Sequence, residues 1–202
     1  PFNIIPDSFF FTLLCAIISL TGVAIRAMTV GYLPRKTEDE VTSGVKSTEL
    51  ITQGMYSIVR HPIALGNLLA WYGIILNVGV SWFIIGAILL YTLFTYQILL
   101  CEEEELAKRF GDRYSLWASY TNALIPNRKL WIRSRDKFSL MQVLRREYIG
   151  FFFLVLTFVT INLLRNRVIE FTWSLSPLWT VVGGATLLFT IFIRLIIKLI
   201  NK

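Results

Sequence analysis

The chain has 202 residues, 55% of them hydrophobic, and a formal net charge of +7. A soluble domain is usually about 45–50% apolar, and here the excess is gathered into uncharged blocks, which excludes an ordinary water-soluble globule. The surplus Lys and Arg lie between those blocks, where they mark membrane topology and give no reason to expect nucleic-acid binding.

The first block, Ser8 to Leu33, holds one charge, Arg26. It is too long, and lacks the basic flank, for a cleavable leader, so it reads as a span. From Pro62 to Cys101 there is no charged residue. At ~1.5 Å per residue this run exceeds one crossing, and "NVGVS", residues 77–81, offers a tight turn that would divide it. Tyr148–Leu164 and Phe171–Ile193 are uncharged as well. The sequence therefore predicts an all-α integral membrane protein with about five transmembrane helices, near 8–31, 63–78, 82–101, 148–164 and 177–197. With an odd number of spans, the loops 34–61 and 102–147 share a side with the C-terminus. That side carries most of the Lys and Arg and is read as cytoplasmic. Some of this charge would also attract anionic lipid headgroups.

The expected organisation is a single domain, 1–202. Its chemistry is concentrated in 51–126, followed by a basic linker at 127–147 and two further spans over 148–197. Cys15 and Cys101 fall within or at the end of spans and read as small apolar residues, not as a disulfide or metal pair. The polar loop "PRKTEDEVTSGVKSTELITQG" suits either a mobile flap or a solvated connector.

Two polar clusters stand out. In "GMYSIVRHPIALG", residues 54–66, the residue before a proline is pushed out of the helical region, so His61 should be extended. Pro62 suits the first turn of the second span. Arg60 and the lone histidine then stand at a helix N-terminus, which attracts anions, and Gly66 would let a ligand or another helix approach the backbone. The same residues suit a plain interfacial anchor, and Gly66, Ala70 and Gly73 recur at a spacing that also fits helix packing.

The second cluster, "CEEEELAKRFGDRYSLWASYTNALIP", follows the third span. Glu104–Lys108 and Glu105–Arg109 are ordinary four-apart surface pairs. Glu103 shares a helical stripe with Ala107, Phe110 and Tyr114, and Glu102 lies with Leu106 and Arg109. Carboxylates beside aromatics at membrane depth are costly unless they meet a cation. Together the clusters suit a zwitterionic ligand that also bears a fixed positive charge, such as S-adenosylmethionine, whose sulfonium aromatic faces would stabilise.

These residues resemble the membrane-embedded isoprenylcysteine carboxyl methyltransferases and their phospholipid methyltransferase relatives. The family pattern R-H-P-x-Y-x-G, then E-E-x-x-L-x-x-x-F-G-x-x-Y and a closing proline, is met by Arg60, His61, Pro62 and Gly66, then Glu102, Glu103, Leu106, Phe110, Gly111, Tyr114 and Pro126. Two positions depart from it: Ala64 stands for the tyrosine after R-H-P-x, and Trp117 for an aromatic that is commonly tyrosine. The basic linker is also similar to a bacterial subgroup associated with lipid A phosphate methylation, which would place the protein in the inner membrane.

The resemblance implies an S-adenosylmethionine-dependent O-methyltransferase acting on a carboxylate or phosphate of a membrane lipid or lipidated substrate, its site in a cytoplasmic helical extension. Arg60 and Glu103 are the implied catalytic residues. Tyr56, His61, Pro62, Gly66, Glu102, Glu103 and Tyr114 are the implied cofactor residues, with Arg60 and His61 holding a cofactor or acceptor anion, one of the glutamates taking the ammonium, and Gly66 admitting the cofactor. No metal is implied. A nicotinamide-dependent sterol-type reductase and a non-enzymatic membrane scaffold are the competing readings. The acceptor stays open, with phosphatidylethanolamine-type N-methylation the less favoured choice because an ammonium must first lose a proton and no base is evident. A prenylcysteine carboxylate would want a long apolar tunnel, whereas a lipid phosphate would use the basic linker.

Overall fold

The computed structural model describes residues 8–34, 49–169, 171, 173 and 175–200. The predicted polar stretch 35–48 lies outside the described residues. Among the described residues seven α-helices follow in order: α1 Phe9–Gly31, α2 Met55–Ile58, α3 Pro62–Asn77, α4 Ser81–Phe110, α5 Asp112–Tyr120, α6 Leu140–Ile169 and α7 Pro177–Ile200, with a 3-10 turn at Arg128–Leu130. Every predicted span has its helix. Four are long and apolar enough to cross a bilayer: Phe9–Gly31, Ser81–Phe110, Leu140–Val168 and Pro177–Leu199. The predicted second span, α3, has 16 residues, about 24 Å of helix against a hydrocarbon core of about 30 Å.

The turn between α3 and α4 forms at the predicted place because Gly79 supplies a positive φ of 75°, which other residues reach only with strain. The helix of the third predicted span, α4, does not stop at the predicted membrane surface. It runs unbroken to Phe110, since Glu, Leu, Ala and Lys all sustain a helix, and ends where Gly111 turns to φ 54°.

Between membrane helices the packing is set by small side chains. On α1, Gly22 faces the backbone of Gly66 and Ala70 of α3, and Gly73 faces Cys15 and Ser19. Ser19 adds a hydrogen bond to the Ala70 carbonyl at 2.8 Å. α6 closes over this pair, placing Leu154, Val155 and Phe158 against Cys15 and Ile74, and α7 packs on α6 through Trp179 stacked on Phe158. The remaining apolar side chains, Ile85, Leu90 and Phe94 on α4 among them, point outward, as expected where the surrounding solvent is hydrocarbon.

Two arginines, Arg26 partly buried and Arg165 buried, tie α6 to the bundle. Arg26 of α1 donates to both carboxylate oxygens of Glu147 and to the amide oxygen of Asn67 on α3. At the opposite end of α6, Arg165 donates to the Asn77 carbonyl at 3.1 Å.

Candidate functional site

The loop that follows α5 folds back onto the chain leading into α3. Arg60 N–H donates to Asn122 O at 2.8 Å, His61 N–H to Ala123 O at 3.1 Å, and Asn127 N–H to Ile58 O at 2.9 Å. A second tie joins Gly54 N–H to Ile132 O, and the Ile132 N–H reaches the Ser57 hydroxyl. These bonds satisfy backbone groups that Pro62 and the extended residue before it leave without helical partners. They also fix the directions in which Arg60 and His61 project.

Those side chains meet α4. Glu103 Oε1 lies 3.0 Å from Arg60 Nη2 and 3.0 Å from His61 Nε2, and Glu102 Oε2 lies 3.4 Å from His61 Nδ1. The two clusters singled out in the sequence are therefore one structure, with the histidine bridging adjacent carboxylates. The Nε2–Glu103 contact is a hydrogen bond, and the Nδ1–Glu102 approach is the looser of the two.

Beside this bridge is a cavity of about 620 Å³, within the usual range of about 300–1,000 Å³ for small-molecule sites. Its rim is polar, with Tyr56, Arg60, His61, Glu102 and Arg146. Its deeper wall is the apolar face of α4 from Tyr91 and Phe94 to Ile98 and Leu99. Glu102, Leu106 and Arg109, grouped by helical spacing in the sequence, line it together.

The expected site residues divide into two groups. Tyr56, Arg60, His61, Pro62 and Glu102 face the cavity. Glu103 stands behind, its charge committed to Arg60 and His61, whereas the Glu102 side chain is 57% exposed. Tyr114 is buried against Trp117, ring edge to face at 5.8 Å, because Gly111 ends the helical stripe that would have carried Tyr114 along with Glu103. Gly66, expected to let the cofactor approach, is turned toward Gly22 and Arg26 of α1 and serves helix packing. Sequence reasoning missed Asn67, Tyr91 and Phe94, which the apolar run hid, and it had Arg146 only as one of the cluster of linker cations that a lipid phosphate would use.

Burial holds the Tyr56 phenol neutral, its pKa pushed up to about 12, with the Glu102 carboxylate acting in the same sense and Arg146 against it. The Tyr114 phenol is also raised, first by desolvation and then by Glu103. Both departures from the family pattern, Ala64 and Trp117, lie on the cavity wall, and Trp117 Nε1 is a buried donor without a partner among the described residues. Among the described residues no group of His, Cys, Asp and Glu could hold a metal ion.

The family model described as phospholipid methyltransferase matches residues 10–113, just over half of the chain. Comparison with curated proteins and with solved structures finds no match.

Proposed function

The chain belongs to the phospholipid methyltransferase family, and on that premise we propose that it transfers the methyl group of S-adenosylmethionine to an anionic oxygen, carboxylate or phosphate, of a membrane lipid or lipidated substrate. The observation that carries this reading is the His61 bridge to Glu102 and Glu103, which joins both halves of the motif at the wall of a ligand-sized cavity.

The residues present fit the cofactor. Glu102 offers an exposed carboxylate for its ammonium. Tyr56, Phe110 and Trp117 offer aromatic faces for a cationic sulfur. When bound, the cofactor supplies the methyl group: the acceptor oxygen gains it, the bonding pair stays on sulfur as a neutral thioether, and no proton moves. A carboxylate or phosphate is already ionised near neutral pH, so the chain needs no general base. Its contribution is alignment and a dry surface. Glu103 holds Arg60 and His61 in place, and the neutral Tyr56 adds a wall without competing charge. The apolar face of α4 lets a lipid reach the rim from the side, and the excess of Lys and Arg at that end supports a cytoplasmic position for it.

The test is calorimetric binding of S-adenosylhomocysteine to the detergent-solubilised protein, with His61→Ala and Glu102→Ala beside it. Binding in the micromolar range by the wild type, lost in both variants, is the expected result. A well-folded wild type that binds none would return the reductase and scaffold readings to the front.

A further inference from the structure

We infer that Arg146 holds the anionic group of the methyl acceptor and so selects an acidic lipid over an amine-bearing one. This rests on the methyltransferase reading of the cavity, and it names the residue that reads the substrate.

Of the described basic residues between 128 and 146, Arg146 alone lines the cavity. Arg133, Arg135 and Lys137 border a separate surface groove beside Trp131. Arg146 is delivered by the start of α6, which is held at three points against α1 and its C-terminal end. The Ser139 N–H donates to Gly31 O at 2.8 Å, the buried Gln142 amide reaches Leu33 O, and the next residue, Glu147, is clamped by Arg26. A guanidinium on so fixed a segment keeps its place when the ligand comes and goes.

Its electrostatic situation differs from that of the other arginines at this end of the bundle. Arg26 is paired with Glu147, and Arg60 with Glu103. Arg146 is half-buried and has no carboxylate partner among the described residues, although its charge is felt at the Tyr56 phenol. A half-buried cation without a counter-ion is costly, and an incoming anion removes that cost. The planar guanidinium fork matches the paired oxygens of a phosphate or carboxylate, while an ammonium headgroup beside it is repelled.

The position of Arg146 in the chain separates acceptor from cofactor. Glu102 and the aromatic residues Tyr56, Tyr91, Phe94 and Phe110 lie within the matched residues 10–113, and Arg146 lies beyond them. Residues that hold a cofactor common to a family lie in its common part or directly beside it, as Trp117 does. A residue supplied from outside that part is free to answer to the acceptor.

The experiment uses the full chain in phosphatidylcholine nanodiscs, saturated with S-adenosylhomocysteine. It is titrated separately with dihexanoyl phosphatidic acid, N-acetyl-S-farnesylcysteine and dihexanoyl phosphatidylethanolamine, as wild type, Arg146→Gln, Arg146→Lys and the neighbouring control Arg145→Gln. At least one of the two anionic probes should bind about tenfold more tightly than the amine, and which one does so identifies phosphate or carboxylate as the acceptor. Arg146→Gln should abolish that preference while leaving S-adenosylhomocysteine affinity within about twofold. Arg146→Lys should retain part of it, and Arg145→Gln all of it. The inference is overturned by an unchanged preference in Arg146→Gln, by no preference in the wild type, or by a loss of S-adenosylhomocysteine affinity that follows the Arg146 substitutions. Failure of the wild type to bind S-adenosylhomocysteine at all would instead strike the parent reading.

Discussion

Arg26 and Glu147 meet through two parallel hydrogen bonds, Nε to Oε2 and Nη2 to Oε1, each 2.9 Å long. The pair joins the first helix to the start of α6, and Asn67 of α3 accepts a further bond from the same guanidinium. Three helices thus converge on one charge pair, with Glu147 buried and Arg26 partly so, beside the cavity.

Removing one partner leaves the other charge buried and alone. Glu147→Ala and Arg26→Ala should each lower stability by about 3–5 kcal/mol, and replacing both by apolar residues of similar volume should recover much of that loss. Unfolding followed in detergent at several temperatures checks the set. Equal melting temperatures for the single and double variants would contradict it.

The adjacent glutamates should separate by phenotype. Glu103→Gln weakens the contacts that orient Arg60 and His61, so it should lower both thermal stability and cofactor affinity. Glu102→Gln, altering the more exposed carboxylate, should leave stability near wild type and weaken S-adenosylhomocysteine binding about tenfold, the loss typical of one charge-assisted hydrogen bond. Melting curves and titration calorimetry on the same preparations decide the matter.

Gly66→Ala tests packing. A methyl group at this position meets the Gly22 carbonyl and the Arg26 stem, so α1 and α3 must move apart at a cost of about 1–3 kcal/mol. Stability should fall, and Gly22→Ala should behave alike. A Gly66→Ala protein with wild-type stability but no cofactor binding would restore the role expected from sequence.

Tyr56 predicts an alkaline effect. Its folded pKa of about 12 lies above the ordinary 10.0, so the neutral phenol is favoured in the folded state. The stabilisation is fully present below pH 10 and is lost as pH rises through about 12. Tyr56→Phe should therefore lose less stability between about pH 9 and about pH 11.5 than the wild type does. Thermal unfolding at the two pH values, in both proteins, gives the comparison.

The sequence was most legible where one physical signal dominated. Uncharged blocks marked the helices, Pro62 marked the start of α3, and Gly79 marked the hairpin. It was least legible where a choice depended on rotation about a helix axis. Glu102 and Glu103 differ by roughly 100° around α4, and only the path of the 121–127 loop decides which of them faces Arg60. The helix that the spacing of Glu102, Glu103, Leu106 and Phe110 predicts beyond Cys101 is continuous with the third span, because hydropathy changes there while backbone hydrogen bonding does not. Glu147 gave no sign of its role, since its partner is far away in the chain and its neighbours in "RREY" look like linker charges.

That separation bears on how the protein is made. Arg26 and Glu147 are 121 residues apart, so at about 5–20 residues per second the ribosome needs roughly 6–24 s to reach the counter-ion after the arginine has emerged. During that interval α1 carries a cation with no carboxylate to meet it, and a charge in hydrocarbon resists deep insertion. The first helix is thus expected to stay shallow, its arginine at the lipid surface, until α6 arrives. A chain interrupted before residue 147 would leave α1 loosely seated, open to recognition by membrane quality control.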